Sequence, residues 1–262
     1  MEYEIFVCDA FTQTQYSGNP AAVVPVSEWP DAELMQKIAS ENNLSETAFT
    51  KQIAQDHYEI RWFSPLCEVD FCGHATLATA YVLFNHFDAG EILRFETASV
   101  GQLVVDRDLT GRICMAFPLL TPSAEDIPSQ LLEGLSIAPI EILRSQQAYF
   151  AIYDNEQDVI NLKTNSHYLK QLAPYDVVAT APGDEYDFVS RYFWPANGGD
   201  EDPVTGSIHA GLAPLWAERL GKHNLKAYQA SKRGGILYCH VENDRVIVSG
   251  YAVLYSHGKI FS

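Results

Sequence analysis

The sequence predicts an α+β protein of two similar halves, each a curved sheet around a buried helix. Three observations carry this. A motif of the first half returns in the second with its register kept. Each copy holds one helical segment that is apolar around much of its circumference, and each such helix is followed by three short strand patterns.

Arg61-Trp62-Phe63-Ser64-Pro65 returns as Arg191-Tyr192-Phe193-Trp194-Pro195. After a three-residue insertion, Glu68 falls on Glu201, Gly73 on Gly206, Ala80 on Ala213, Gly101 on Gly234 and Arg112 on Arg245. Apolar character tracks through the final hairpins, with Leu103 on Ile236, Val105 on Tyr238, Ile113 on Val246 and Met115 on Val248. The identities are few; their shared register is what makes them a repeat.

A strand pattern over 3–8 opens the chain, and another over 21–26 follows the Gly18-Asn19-Pro20 turn. Residues 31–41 have helical spacing, and Asn42 to Phe49 form a polar turn passing into a strand. In the first copy, a strand over 58–63 leads through a loop into a helix that begins at Gly73 and runs to about Phe87, with Leu77, Ala80, Tyr81 and Phe84 at helical spacing. Strands over 92–96, 102–106 and 112–117 follow. In the second copy the strand spans 186–193, the helix runs from Gly206 to Leu220 with Gly221 ending it, and the strands are 227–229, 236–241 and 245–249. Three prolines among polar residues in 118–128 mark the boundary. The domains are thus 1–118, with 251–262 a candidate last strand for it, and 119–250.

Composition narrows the function. With 47% hydrophobic and 19% charged residues, the chain has apolar material for a core. Seventeen basic against 34 acidic side chains give a net charge of −17, which repels phosphate backbones and anionic headgroups, so neither nucleic acid nor membrane is an expected partner. Met1 to Val7 lacks the basic and apolar regions of a signal peptide, and no apolar run reaches membrane-spanning length. Five cysteines without a C-x-x-C pair fit a reducing compartment, and the cytoplasm is the expected location.

Glu46 lies where a loop enters an apolar strand. A partly desolvated carboxylate there suits proton transfer near neutral pH, and a solvated loop glutamate is the competing reading. Cys72-Gly73-His74-Ala75-Thr76 and Asp202-Pro203-Val204-Thr205-Gly206-Ser207 each set a glycine and a polar side chain at a helix start, where amides and the dipole favour an anion. Plain capping by Asp202 or Thr205, with Pro203 in the first turn, is the structural alternative. His74 is a candidate to polarise or protonate a bound group. Cys72 with His74 as nucleophile and base, or Cys67, Cys72 and His74 as metal ligands, are weaker readings. The spacing matches no zinc pattern, residues two apart seldom face each other on a helix, and no metal is expected. Arg233, in the basic loop Gln229 to Gly235, is a candidate anion contact.

At these positions the sequence resembles the PhzF-like isomerase family of phenazine biosynthesis, and more distantly diaminopimelate epimerase. Asp9-Ala10-Phe11-Thr12, Gly18 to Val23, Leu44 to Phe49, Glu68 to Thr76, Glu201 to Ser207 and Gln229 to Gly235 carry the likeness, which spans nearly the whole chain. The resemblance implies a diaminopimelate epimerase-like fold of two pseudo-symmetric domains, each a barrel-like sheet around a central helix. It implies a cofactor-independent isomerase acting on a small-molecule carboxylate substrate in the cleft between the domains, and a homodimer. Glu46 of its S-E-T motif is then the acid/base, with His74 and Asp202 assisting. Ser45, Gly73, Gly206 and Ser207 belong to the implied binding site, Ser207 and the amides around the two glycines holding the carboxylate. Diaminopimelate epimerases use two cysteines, one before the glycine of each turn; here Cys72 holds the first place and Thr205 the second. Ile208 stands where alanine is usual, which bears on pocket shape. An epimerase or racemase using Cys72, and a non-catalytic metabolite-binding protein, are the alternatives.

Overall fold

The structure, a computed structural model, describes residues 2–262. In chain order the strands are β1 (Glu2–Ala10), β2 (Asn19–Val26), β3 (Glu46–Ala54), β4 (His57–Phe63), β5 (Glu68–Val69), β6 (Ile92–Glu96), β7 (Gln102–Arg107), β8 (Ile113–Pro118), β9 (Ser123–Ala124), β10 (Glu141–Arg144), β11 (Ala148–Ile152), β12 (Asp176–Pro182), β13 (Phe188–Trp194), β14 (Gly199–Asp202), β15 (Asn224–Gln229), β16 (Gly235–Val241), β17 (Arg245–Gly250) and β18 (Ala252–Phe261). The helices are α1 (Ala32–Asn42), α2 (Gly73–His86), α3 (Ser129–Glu133), α4 (Glu156–Asn161), α5 (Ser166–Leu169) and α6 (His209–Leu220). The fold class is α+β, with strands predominating. The chain divides into two compact units, one running up to Ala116 and including Ser249–Ser262, the other Phe117–Val248.

In the first unit, β18 pairs antiparallel with β1 and β1 antiparallel with β2; β2 runs parallel to β3, β3 antiparallel to β4, β4 parallel to β6 and β6 antiparallel to β7. Parallel neighbours require a crossover. Helix α1 supplies it between β2 and β3, and α2 between β4 and β6. Asp31 caps α1, accepting from the Leu34 amide. Helix α2 packs on β1, β2, β3 and β18 and is buried nearly all round, from Gly73 through Phe84, as its apolar circumference predicts. The Thr76 and Thr79 hydroxyls, fully buried, donate back to the Cys72 and Ala75 carbonyls, so this burial leaves neither hydroxyl unpaired.

The second unit repeats the ladder. Strands β10 and β11 are antiparallel, β11 and β12 parallel, β12 and β13 antiparallel, β13 and β15 parallel, β15 and β16 antiparallel. Its copy of the first crossover is α4 with α5, and α6 is the counterpart of α2. The structural repeat therefore extends upstream of Arg61 and Arg191, into strands whose sequences show no common register. The aligned arginines and glutamates have one job in both copies: Arg61 forks onto Glu68 at 2.7 and 2.7 Å, and Arg191 onto Glu201 at 2.7 and 2.9 Å. Each fork ties a strand to the segment that leads into the helix start.

One boundary differs from expectation. Helix α6 begins at His209, three residues beyond the predicted Gly206. The amides of His209, Ala210 and Gly211 bond to the carbonyls of Gly206, Ser207 and Ile208, an i→i+3 pattern that places Gly206 and Ser207 in a tight turn ahead of the α-helix. Pro214 inside α6 cannot donate to the Ala210 carbonyl, and the Leu120 amide does so instead at 3.0 Å. That strap brings Leu120 against Gly211, where a Cβ would lie 2.7 Å from Phe150 Cζ and 3.0 Å from the Leu120 oxygen. Glycine to alanine ordinarily stabilises a helix by about 1 kcal/mol. Here Gly211→Ala is expected to lower stability by about 1–3 kcal/mol, read as a lower urea midpoint at unchanged slope. A higher midpoint would show that the strap yields at no cost.

Candidate active site

In the first unit the starts of β2, β3 and α2 come together. Because β2 and β3 are parallel in the register Ala21↔Glu46, Asn19 and Glu46 open neighbouring strands at the same end. The Ser45 hydroxyl donates to Asn19 Oδ1 at 3.0 Å, which turns Asn19 Nδ2 toward His74 Nδ1 at 3.2 Å. His74 Nε2 then faces Glu46 Oε2 at 3.0 Å, an ion-pair distance off the axis of a hydrogen bond. No described residue makes an aligned hydrogen bond to that buried oxygen. Glu46 is 7% exposed and His74 6%, so the solvated loop glutamate is replaced by a buried carboxylate.

Cys72 Sγ lies 3.4 Å from His74 Nδ1 and 3.9 Å from Nε2. The expectation that residues two apart do not meet fails because Cys72 is the N-cap of α2, extended at φ −144° and ψ 111°, and so stands outside the helical period. Its side chain makes no capping bond. Burial, and then Glu46, push the Cys72 thiol up to about 11, so it is neutral at pH 7. Burial opposes charge on His74, but Cys72 and Glu46 more than offset it and hold the imidazole well above its ordinary value. Cys67, named with Cys72 and His74 in the weaker metal reading, is exposed, and its carbonyl accepts from the Ser64 hydroxyl. Glu46 takes its place in the cluster: one donor atom each from Glu46, Cys72 and His74 lie within 4.8 Å of one another.

The second unit builds a different set at the corresponding strand ends. Asp202 is buried and accepts from the Thr205 hydroxyl at 2.5 Å. The Thr205 amide donates to Gln229 Oε1, and Gln229 Nε2 donates to the Asp202 carbonyl. Neither Asp202 nor Thr205 caps α6, whose N-cap is Ile208 without a side-chain bond; the capping alternative is thereby removed. Gly206 is buried and Ser207 half-buried in the turn. Ser231 of the basic loop braces the turn by donating to the Pro203 carbonyl.

Sequence reasoning missed the residues behind Ser207. Gln147 Nε2 donates to Ser207 Oγ and to the Tyr192 hydroxyl, both at 3.0 Å, and that hydroxyl donates to Asp176 Oδ2 at 2.5 Å. Burial and Asp176 keep the phenol protonated, which fixes the direction of the chain. Asp176 opens β12 in the register Ala148↔Asp176, the counterpart of Glu46 opening β3 against Ala21. It is tied down by Tyr192 and by Asn197 at 2.9 Å, whereas Glu46 is left open. Gln147, Asp176 and Asn19 carry no local signal; only strand pairing identifies them.

Residues 8–258 match the family described as phenazine biosynthesis-like protein, PhzC-PhzF. The chain belongs to the phenazine biosynthesis-like family. Its enzyme class is isomerase. A relative in Pseudomonas aeruginosa, named an uncharacterized isomerase, is 47% identical over 262 residues, 99% of each chain. The crystal structure of a PhzF-family protein of Enterococcus faecalis, 42% identical, superposes with a TM-score of 0.95 over 100% of both chains. A hydroxyproline epimerase from Agrobacterium vitis, 11% identical, gives 0.60 over 99% of this chain and 92% of that one, which shows a shared fold alone. No helix among the described residues is long and apolar enough to cross a membrane.

His209 of this family member sits directly under the Gly206–Ser207 turn. It is fully buried, its Nδ1 is 2.9 Å from the Thr205 carbonyl, and its Nε2 has no partner among the described residues. Burial depresses its pKa to about 4 from 6.5. Between those values the unfolded chain binds a proton that the folded chain refuses. His209 therefore contributes stability that is complete above pH 6.5 and is lost as pH falls toward 4. His209→Asn, which can keep the donor to Thr205, is expected to flatten this dependence, the stability difference from wild type changing by up to about 3 kcal/mol across the window. Parallel urea-unfolding profiles at pH 4 to 7 would exclude it.

Proposed function

We propose that this enzyme is a cofactor-independent isomerase that moves a proton between two carbons of a small carboxylate substrate, with Glu46 as both acid and base. The observation that carries the reading is the state of Glu46 Oε2: buried, beside His74, and without an aligned hydrogen bond. A carboxylate oxygen so placed has a lone pair to accept a proton from carbon. The contrast between copies adds support, since Asp176 at the equivalent strand start spends its oxygens on Tyr192 and Asn197.

In this reading Glu46 takes a proton from one carbon, the electron pair left behind delocalises toward the unsaturated part of the substrate, and Glu46 returns the proton to a second carbon. His74 keeps the carboxylate in place and balances its charge. On the resemblance, Ser207 with the amides around Gly73 and Gly206 binds the substrate carboxylate and Asp202 assists. A homodimer in the cytoplasm is the setting assigned on the resemblance, and light scattering measures the mass.

A second reading, epimerisation with Cys72 as partner of Glu46, draws on the 3.4 Å contact between Cys72 Sγ and His74 Nδ1. The thiol is neutral at pH 7, and an imidazole held well above its ordinary value is a poor acceptor for its proton, which counts against this reading. The matching position in the second turn is Thr205, so a two-thiol inversion is not built.

The test is deuterium incorporation at carbon, followed by NMR, from a panel of small unsaturated carboxylic acids in deuterium oxide. Glu46→Gln is expected to lower incorporation by about 10²–10⁴-fold; full exchange by that variant would end the assignment. Cys72→Ala retains exchange if isomerisation is the reaction and loses it if the thiol is the second base. Ser207→Ala is expected to raise KM by about 10-fold with a smaller change in kcat, as for removal of one hydrogen bond to a charged group. An unchanged KM would remove Ser207 from the carboxylate site.

A further inference from the structure

His74 has two ring nitrogens, and the isomerase reading uses only Nε2, which faces Glu46. Nδ1 faces the Asn19 amide at 3.2 Å, and Asn19 is itself held by the Ser45 hydroxyl at 3.0 Å. We propose that Asn19 is the positioning residue of the Glu46–His74 pair: its side-chain amide turns over to partner Nδ1 in either protonation state of the ring, so the imidazole changes charge without leaving a buried polar atom unpaired. Its part in catalysis rests on the isomerase reading of the pair. When the ring is neutral with its proton on Nε2, Asn19 Nδ2 donates to the Nδ1 lone pair and Oδ1 accepts from Ser45. When the ring is charged, Nδ1 carries a proton as well, Oδ1 accepts it, and Nδ2 donates to the Ser45 oxygen. A hydroxyl both donates and accepts, and amide oxygen and nitrogen are nearly the same size, so the exchange keeps the heavy atoms in place.

The backbone keeps Asn19 where it is. The residue is fully buried and opens β2 in the register Ala10↔Asn19. Gly18 before it has a φ of 67°, and a Cβ there would lie 2.2 Å from the Ala10 oxygen, so the turn closes tightly on β1. Pro20 after it restricts Asn19 to extended backbone. Cys72 Sγ, at 3.4 Å, is the other group at Nδ1. Its thiol is neutral at pH 7, and a neutral thiol is a weak donor and a weak acceptor, so it does not replace the amide. Of the titratable groups on the elements packed around α2, Asp9 of β1 accepts from the Tyr16 amide and acts on Cys8, and His257 of β18 faces Glu4. Cys72 and Glu46 are the groups that act on His74, and against the opposition of burial they hold the imidazole well above its ordinary value. The charged ring, with a proton on both nitrogens, therefore belongs to the neutral range of pH, and Asn19 Oδ1 is the strong acceptor within reach of the second proton. Charge on His74 then follows Glu46: the two form an ion pair while Glu46 is a carboxylate, and the ring is able to become neutral when Glu46 holds a substrate proton. Aspartate at position 19 only accepts and would lock the ring in its charged form; leucine does neither.

Nitrogen-15 NMR of the full-length protein, labelled at histidine and asparagine, tests this without substrate. In the wild type, His74 Nδ1 is expected to lose its proton as pH rises while Nε2 keeps its own, and the Asn19 side-chain amide resonance is expected to shift with the same midpoint. A ring that keeps both protons throughout, a neutral ring protonated at Nδ1, or an Asn19 amide that does not respond overturns the proposal. Asn19→Leu is expected to lower the His74 midpoint by about one pH unit and Asn19→Asp to raise it by about as much, with circular dichroism confirming that each variant is folded. In Cys72→Ala the Asn19 amide still titrates with His74. A midpoint that moves in neither Asn19 variant, or in the same direction in both, overturns the proposal, and so does loss of the Asn19 response in Cys72→Ala. If Asn19→Leu does not fold, the wild-type spectra and Asn19→Asp decide. The pH profile of deuterium exchange is expected to shift with the His74 midpoint. If the midpoints move as stated and the exchange profile stays where it is, the hold of Asn19 on His74 stands and the part given to the Glu46–His74 pair in isomerisation falls.

Discussion

Parallel pairing of β2 with β3 is the constraint on which the site depends. Two parallel strands begin at the same end of a sheet, and the chain between them has to cross back over it. The register Ala21↔Glu46 therefore sets Asn19 and Glu46 at the same end of neighbouring strands although 26 residues of chain lie between them. The second parallel pair, β4 with β6, makes a crossover of α2, and the start of that helix brings Cys72 and His74 to the same end. Antiparallel pairing would have sent the start of β3, and Glu46 with it, to the opposite end of the sheet.

The same ladder in the second unit shows what the architecture leaves to side chains. Gln147, Asp176 and Ser207 occupy strand ends and a helix approach corresponding to those of Asn19, Glu46 and the α2 start. In one unit a carboxylate lies beside an imidazole; in the other it is locked by a phenol and an amide. The Arg61–Glu68 and Arg191–Glu201 forks are retained in both because each serves the backbone rather than the chemistry.

Much of this was legible before any coordinates. The buried helix α2, its start at Gly73, the strands after it and the end of α6 at Gly221 follow from apolar periodicity and glycine placement, which act within a turn or two. The upstream part of the repeat was not legible. Its strands share a ladder pattern but no residues, and their crossovers differ, a single helix α1 in one unit against α4 and α5 in the other. The start of α6 was misplaced because Gly206 and Ser207 satisfy i→i+3 bonds, a choice fixed by the Gln229 and Ser231 contacts from a distant loop.

By itself, then, the sequence determined the local elements, the α+β class and the identity of the two polar turns, since each of these rests on residues close along the chain. Tertiary structure alone decided that Asn19 holds His74, that Cys72 lies against that same imidazole, that Asp176 mirrors Glu46, and that Gln147 bonds Ser207. Strand register makes those pairs, and register is a property of two segments together: no single stretch of the chain contains it.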